Sequence, residues 1–169
     1  ITAPTHLNAP IGAEVVDVRS AEEMKDAVMA AASQADALIM AAAVADFRPK
    51  KSTKDKIKKA DGVPTLELEA TTDILQEVSK QKSKKGYPKV MVGFAAESKD
   101  VAKNAEKKLK AKGLDMMAAN DISAVDAGFE VDTNQVTLLF ADGEKEELPL
   151  MGKDEVAEVV IERIKDLLK

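Results

Sequence analysis

The chain has 169 residues, 45% of them hydrophobic and 33% charged, so it is long enough for one medium-sized domain with a buried core. Its 25 basic and 30 acidic residues give a net charge of -5, which argues against a surface built throughout to bind nucleic acid. The lack of cysteine excludes disulfides and thiolate chemistry, and one histidine excludes a histidine-cluster zinc site. No apolar stretch reaches the roughly 20 residues that a membrane helix needs. Residues 1–10 lack the basic region and following apolar region of a secretory signal, so we expect a cytoplasmic protein.

The first half of the chain alternates strand and helix patterns. A short strand is predicted over residues 13–18, followed by a helix over 20–33 with Ser20 as a favourable N-cap. The apolar run 37–43 is typical of a strand covered on both faces of a parallel sheet, although its alanines also suit a helix. A weaker alternating pattern over 65–69 indicates another strand, and residues 73–80 indicate a helix.

The second half continues this alternation and then changes character. It carries a predicted buried strand over 89–94, a helix over 98–112 with Gly113 as its stop signal, a strand over 115–119 and a loop over 120–128. Residues 135–140 and 146–150 flank an Asp-Gly pair, which is typical of a hairpin turn. An amphipathic helix over 153–168 closes the chain.

These elements predict one α/β domain over residues 1–169. The expected architecture is a Rossmann-like, doubly wound, mostly parallel sheet flanked by helices, with a small antiparallel hairpin addition. In such folds ligands bind outside the carboxyl ends of the strands. Three predicted strand ends pass into small residues and then a carboxylate or amide, at residues 41–46, 94–97 and 119–121.

One strongly basic segment, residues 47–60, interrupts the acidic chain with a local charge of +6. Lysines on a loop can close over a polyphosphate and neutralise charge that develops during phosphoryl or nucleotidyl transfer. Spacing alone favours the simpler interpretation of a solvated charge run. The cations of this segment are Arg48, Lys50, Lys51, Lys54, Lys56, Lys58 and Lys59.

Other polar residues near the strand ends have two interpretations each. Asp46 could contact a ribose hydroxyl or a hydrated magnesium ion, and a capping or loop role is equally compatible. Glu97 presents the same choice. Lys108 and Lys112 are four residues apart on one predicted helix and could reach one anion, but surface helices routinely carry such lysines. The sequence contains no glycine-rich phosphate loop of the nucleotide-binding types, which disfavours a hydride-transfer enzyme.

The motifs of the chain resemble those of phosphopantothenate cysteine ligase, also called phosphopantothenoylcysteine synthetase. The run Ala-Ala-Ala-Val-Ala-Asp-Phe-Arg-Pro from Ala41, followed by Lys-Ile-Lys-Lys from Lys56, resembles the paired signature of that family. Further matches follow in order at Asp73-Ile74, at Val-Gly-Phe-Ala-Ala-Glu from Val92 and at Ala-Asn-Asp from Ala119. The resemblance covers essentially the whole chain. Such ligases are often the C-terminal half of bifunctional coenzyme A biosynthesis proteins, so a fused flavin-dependent decarboxylase is one implication.

Two departures from the family pattern stand out. Thr71-Thr72 occupies the place where the family usually has Asn-Pro. The family also opens with a Gly-Pro-Thr-like turn, a loop carrying an important Asn and a glycine-containing stretch, all of which lie before the start of this sequence. The resemblance therefore implies a ligase domain lacking its N-terminal glycine-rich segment, with weak or absent activity as a fragment.

The resemblance implies a two-step reaction in the cytoplasm. The carboxylate of 4'-phosphopantothenate would attack the α-phosphate of CTP, with Mg²⁺ present, to give an acyl-cytidylate and pyrophosphate. The amine of L-cysteine would then displace CMP. Family members dimerise, so a homodimer is also implied. The alternative is a Rossmann-like nucleotide-binding or interaction module without catalysis, which calorimetry with CTP and ATP would distinguish.

The family's functional positions carry over to specific residues of this chain. The resemblance assigns Lys56 to triphosphate contact and its displacement, and Asn120 to the lining of the catalytic site. Backbone groups near the end of the first apolar strand would meet the nucleotide, together with side chains from later segments. The implied nucleotide-binding residues are Met40, Ala41, Ala42, Asp46, Lys56, Thr72, Asp73, Ile74, Leu75, Phe94, Lys108 and Lys112.

Overall fold

The computed structural model describes residues 1–51, 55–58, 62–97, 99–121 and 131–169, and for Asp121 the backbone only. Packing divides the chain into two compact units. The first, here the hairpin unit, comprises Ile1–Ala27 and Ala43–Asp73. The second, the sheet unit, comprises Val28–Ala42 and Ile74–Lys169.

The described elements comprise four helices and nine strands. None of the helices in the described ranges is long and apolar enough to cross a membrane. In order, the elements are α1 (Ala21–Ala32), β1 (Ala37–Met40), β2 (Phe47–Pro49), β3 (Leu68–Ala70), α2 (Ile74–Lys85), β4 (Val90–Glu97), α3 (Val101–Lys112), β5 (Met116–Asp121), β6 (Thr133–Asn134), β7 (Val136–Phe140), β8 (Lys145–Glu147), β9 (Met151–Gly152) and α4 (Lys153–Leu167).

The sheet unit is built on a five-stranded sheet in the order β1-β4-β5-β7-β8. Strands β1, β4 and β5 run parallel, whereas β7 pairs antiparallel with β5, and β8 antiparallel with β7. This confirms the predicted α/β class and the hairpin addition. Gly143 in the β7–β8 turn has φ 98° and Gly113 after α3 has φ 60°, both in the left-handed region that favours glycine.

One part of the core of the sheet unit lies between one face of the sheet and α4. Alternate residues of the central strands point to the same face, so Val90 and Val92 of β4 join one cluster with residues of β5 and β7. Helix α4 buries Val156, Val160 and Ile164 against it, at the three-to-four-residue spacing of one helix face. Alternate residues of the runs predicted as buried strands are therefore buried by this helix.

The predicted strand over residues 13–18 is wrong. In the structure this segment forms only an isolated parallel bridge between Thr2 and Asp17. Thr2 N–H donates to the Val16 carbonyl and Val18 N–H donates to the Thr2 carbonyl, both at 2.9 Å. Pro4 has no N–H to extend such a ladder, so an apolar segment with strand propensity stays a single bridge.

The expectation that residues 37–43 are covered on both faces is also wrong. Strand β1 ends at Met40 and forms the edge of the sheet, where Ile39 is 41% exposed. Its pairing partner within the described sheet is β4 alone. A continuous apolar run is compatible with either an edge or a central strand, because periodicity cannot distinguish them.

The hairpin unit contains a two-stranded antiparallel pair that the sequence patterns placed only in part. Strand β3 is shifted from the predicted 65–69, and its partner β2 falls inside the basic segment, where no strand was predicted.

The bounds of two predicted helices also differ in the structure. Helix α2 runs to Lys85, α3 begins at Val101, and Ser98 and most of the predicted loop 120–128 lie outside the described residues.

Local capping explains where α1 begins. Ser20 Oγ accepts a hydrogen bond from Glu23 N–H at 3.1 Å, and the Glu23 carboxylate accepts from Ser20 N–H at 3.3 Å. This reciprocal arrangement satisfies two of the backbone donors that a helix N-terminus leaves free. The prediction of Ser20 as the N-cap is confirmed.

Candidate functional site

In the sheet unit, Phe94 and Asn120 lie on one face near the carboxyl ends of neighbouring strands. Phe94 is in register with Ala118, and Ala96 with Asn120, so all four project to the same face. Further back on β4, the same face is buried at Val90 and Val92. Phe94 is 37% exposed, so the packing that buries Val90 and Val92 at the start of β4 does not extend to the carboxyl end of the strand.

The Asn120 side chain supplies an unused hydrogen-bond acceptor at this edge. Its Oδ1 atom is buried and has no hydrogen-bond partner within the described part of the chain. An enclosed amide oxygen without a donor is costly, which makes it a candidate acceptor for a ligand N–H or O–H group. An exposed aromatic ring and this oxygen therefore share one face at the strand ends.

The opposite face of β4 ends in an ion pair. Glu97 Oε1 lies 2.6 Å from Lys108 Nζ of α3, with the Glu97 side chain 14% exposed and the Lys108 side chain 49% exposed. The contact lacks the alignment of a hydrogen bond. Lys108 is therefore paired with a nearly enclosed carboxylate, unlike a routine surface lysine. Lys112 lies one helical turn further along α3 and is half-buried.

Residues at the end of β1 adjoin this edge of the sheet. Met40 is the last strand residue and is in register with Gly93. Ala41 and Ala42 follow it and are exposed. Backbone groups beyond a strand end are free of ladder pairing with the neighbouring strand, which suits them to contact a ligand.

In the hairpin unit, hydrogen bonds bring Asp46 beside Thr71 and Thr72 at the base of the β2–β3 pair. Thr71 N–H donates to the Asp46 carbonyl at 2.9 Å, and Thr71 Oγ1 donates to the Ala45 carbonyl at 2.5 Å. Asp46 and Thr72 are both exposed. Two of the predicted site residues are thus held close together although 26 positions separate them.

Arg48 belongs to an ion-pair network that the sequence patterns did not reveal. Its Nη1 lies 2.5 Å from Glu22 and its Nε 2.8 Å from Glu69, while Lys25 Nζ lies 2.7 Å from Glu22. Lys25 and Arg48 hold the pKa of Glu22 below its usual value, and Glu22 and Glu69 raise the pKa of Arg48. Acidic neighbours therefore neutralise part of the basic segment. The register of Arg48 with Glu69 needed the unpredicted strand β2.

This network borders a polar depression within the hairpin unit. The lining combines the first turn of α1 with the base of the β2–β3 pair, so it presents both signs of charge and two threonines. The lining residues are Ala21, Glu22, Lys25, Arg48, Ala70, Thr71 and Thr72.

The remaining predicted site residues fall into three groups. Lys56 is exposed, as a cation that reaches a ligand must be, whereas Lys54 and Lys59 lie outside the described residues. Ile74 and Leu75 are 2% and 7% exposed, so their side chains belong to the core and only their backbone could meet a ligand. Asp73 is partly buried and directly precedes α2.

Within the described ranges, no three His, Cys, Asp or Glu side chains form a metal-binding group.

Comparison with known proteins identifies the family. The family described as DNA/pantothenate metabolism flavoprotein C-terminal domain matches residues 1–168. The chain is 46% identical to the coenzyme A biosynthesis bifunctional protein CoaBC of Bacillus subtilis (strain 168), covering 100% of this chain and 41% of that protein. It thus spans about two fifths of the length of this curated relative.

Solved structures agree with this assignment. The crystal structure of the C-terminal domain of a coenzyme A biosynthesis bifunctional protein CoaBC has a TM-score of 0.78 at 38% identity, over 98% of this chain and 71% of that one. A Cab2 mutant in complex with phosphopantothenate-cysteine shares the fold, with a TM-score of 0.65 at 15% identity over 90% of this chain and 53% of that one. These matches confirm the resemblance read from the motifs: the chain belongs to the DNA/pantothenate metabolism flavoprotein C-terminal domain family.

Proposed function

We propose that this chain forms the nucleotide-binding part of the ligase of coenzyme A biosynthesis, which joins 4'-phosphopantothenate to L-cysteine with CTP as the co-substrate. The observation that carries the proposal is the 38% identity, over 98% of the chain, with a CoaBC C-terminal domain of the same fold. The exposed Phe94 and the unpaired Asn120 oxygen at adjacent strand ends support a ligand site at this edge. Fusion to a flavin-dependent decarboxylase and a cytoplasmic location belong to the same proposal.

The first step activates the acid. A carboxylate oxygen of 4'-phosphopantothenate attacks the α-phosphorus of CTP, the bond from that phosphorus to the bridging oxygen of the β-phosphate breaks, and pyrophosphate leaves with the electron pair. Charge grows on the leaving pyrophosphate, so cations that meet it lower the barrier. Lys56 is the exposed lysine to which we assign this role.

The second step forms the amide. The amine nitrogen of L-cysteine attacks the acyl carbon of the acyl-cytidylate, the carbon–oxygen bond to CMP breaks, and the nitrogen loses its proton to solvent. Neither step needs a protein nucleophile, which suits a chain without cysteine. Catalysis then depends on positioning and charge stabilisation.

The nucleotide contacts are those that the family resemblance implies, and burial decides which groups of each residue could supply them. Met40, Ala41 and Ala42 would offer backbone groups beyond β1, and Ile74 and Leu75 would act through the first-turn N–H groups of α2, a favourable setting for an anion. We assign further contacts to Asp46, Thr72 and Asp73, to the exposed ring of Phe94, and to the ammonium groups of Lys108 and Lys112.

Mg²⁺ enters this proposal as part of the CTP substrate. The ion usually keeps several waters and binds through substrate phosphates with one or two carboxylates, not through a protein cage. The described residues, which contain no three-ligand group, are compatible with that mode, and we derive no step from the ion.

We also propose that the chain forms a homodimer through the β2–β3 pair. Phe47, Leu66 and Leu68 are 62%, 66% and 55% exposed, while Arg48 and Glu69 pair on the other side of the ribbon. An isolated two-stranded ribbon is marginally stable, and a second copy would cover this apolar side. In sedimentation velocity, Phe47→Asp should turn a dimer into a monomer and Ile161→Asp, on α4, should not. A monomeric parent protein would refute the dimer.

Calorimetry with nucleotides tests the function. We expect CTP to bind in the presence of Mg²⁺ at least about tenfold more tightly than ATP, which corresponds to roughly 1.4 kcal/mol. Phe94→Ala should weaken CTP binding, because an aromatic platform for the nucleotide is lost. Equal binding of the two nucleotides, or no binding, would favour a module without this activity and contradict the proposal.

A further inference from the structure

The ion pair between Glu97 and Lys108 links the end of β4 to α3. Glu97 is the last residue of β4, and strand alternation places its side chain on the face opposite Phe94. Its Oε1 is fully enclosed and lies 2.6 Å from Lys108 Nζ. An enclosed carboxylate needs a cation close by, because an unpaired charge in such surroundings is strongly unfavourable.

Lys108 is held on one side and open on the other. Its helix, α3, is anchored in the core by the buried side chains of Ala105 and Leu109, which are 0% and 3% exposed. The Lys108 side chain is 49% exposed, so its ammonium can meet a ligand without leaving Glu97. A lysine has four rotatable bonds, and restricting them before binding reduces the entropy lost when an anion is bound.

A second ion pair on the same helix provides a contrast. Lys110 Nζ lies 2.8 Å from Glu106, and their side chains are 69% and 43% exposed. Pairs of this kind restrict a lysine weakly because water competes for both partners. The Glu97 carboxylate, which pairs with Lys108, is more enclosed than that of Glu106, which pairs with Lys110 and Lys145.

We propose that Glu97 is a positioning residue for the nucleotide: it holds the Lys108 ammonium at the carboxyl end of β4, where that group binds an anionic phosphate oxygen. The inference rests on the proposed function, because Lys108 must contact CTP. Glu97 itself does not touch the ligand. Its carboxylate would repel a triphosphate if Lys108 were absent, so the two side chains act as one unit.

A double-mutant cycle with MgCTP tests the inference. We expect Glu97→Ala to raise the Kd for CTP about tenfold, and Glu97→Gln, which retains an acceptor oxygen, to raise it by only about threefold. In a Lys108→Gln background, Glu97→Ala should no longer raise the Kd, because the group it positions is gone and only a carboxylate that repels the triphosphate is removed. Glu106→Ala, which breaks the exposed Lys110 pair, is the matched control and should leave the Kd unchanged.

The outcomes separate this inference from the function on which it rests. If CTP binds and Lys108→Gln weakens binding, but Glu97→Ala does not, the positioning role of Glu97 is refuted and the proposed function survives. An equal loss on Glu97→Ala in both backgrounds also refutes it, since a general structural effect would act without Lys108. If Lys108→Gln leaves CTP binding unchanged, the inference fails and the proposed function survives, whereas both fail if CTP does not bind. Thermal unfolding of each variant confirms that the compared proteins are folded.

Discussion

Substitution of Lys56 by Gln is expected to slow ligation by about 10²- to 10³-fold, the usual cost of removing one preorganised group that stabilises transition-state charge. The change removes one positive charge from an exposed side chain, so the free energy of unfolding should change little. Pyrophosphate release and amide formation by the full-length protein, with CTP, phosphopantothenate and cysteine, measure the effect.

Lys50→Gln is the control for this experiment. Lys50 lies in the same basic segment, its Nζ is 4.0 Å from the Glu67 carboxylate, and both side chains are well exposed. We expect it to keep the parent rate within about twofold, as weak surface pairs contribute little. Parent rates in Lys56→Gln, or equal losses in both variants, would show that the charge of Lys56 has no specific role.

Substitution of Gly93 by Val is expected to lower the free energy of unfolding by about 1–3 kcal/mol, the range typical of overpacking a core. A Cβ at this position would lie 2.8 Å from Leu114 Cδ1, 3.4 Å from Leu75 Cδ1 and 3.6 Å from Met117 Cε. Valine adds two further methyl groups to that closed space. Strand propensity favours valine over glycine, so any decrease in the free energy of unfolding would be due to overpacking.

Ala96→Val, on the same strand, is the matched control for urea unfolding. Ala96 projects to the opposite face and is exposed, so added methyl groups meet open space. We expect its stability to stay within about 0.5 kcal/mol of the parent. If Gly93→Val were as stable as the parent, the glycine of the Val-Gly-Phe-Ala-Ala-Glu motif would not be a packing requirement.

The parts of the fold that the sequence predicts best are those set by local patterns. Ser20 begins α1 through its own hydroxyl, and Gly113 ends α3 because its left-handed backbone suits glycine. Strand β4 has the continuous apolar composition of a covered strand, and it lies in the middle of the parallel part of the sheet.

The parts that the sequence does not predict depend on distant partners. Strand β2 is three residues long and includes Pro49, so its propensity is low, and it forms through pairing with β3, about twenty residues later. Arg48 looks like one more cation of a basic segment until that pairing brings it to Glu69. Enclosure of Glu97 likewise depends on α3 packing beside β4.

The proposed site residues were named from motifs, and the fold explains some of the spacing between them. Phe94 and Asn120 are 26 positions apart in the chain, and the parallel register of β4 and β5 brings them to one face. Asp46 and Thr72 meet in the hairpin unit through Thr71. The assigned roles of these residues remain predictions that the variants above test.

Oxygen-isotope transfer tests the central claim most directly. When 4'-phosphopantothenate labelled with ¹⁸O in its carboxylate is ligated by the full-length protein, the attacking oxygen becomes the bridge of the acyl-cytidylate and leaves with CMP. We therefore predict one ¹⁸O atom in the phosphate of each CMP released and unlabelled pyrophosphate, measured by mass spectrometry. Unlabelled CMP, or product formed without CTP cleavage, would contradict a CTP-dependent ligase acting through an acyl-cytidylate.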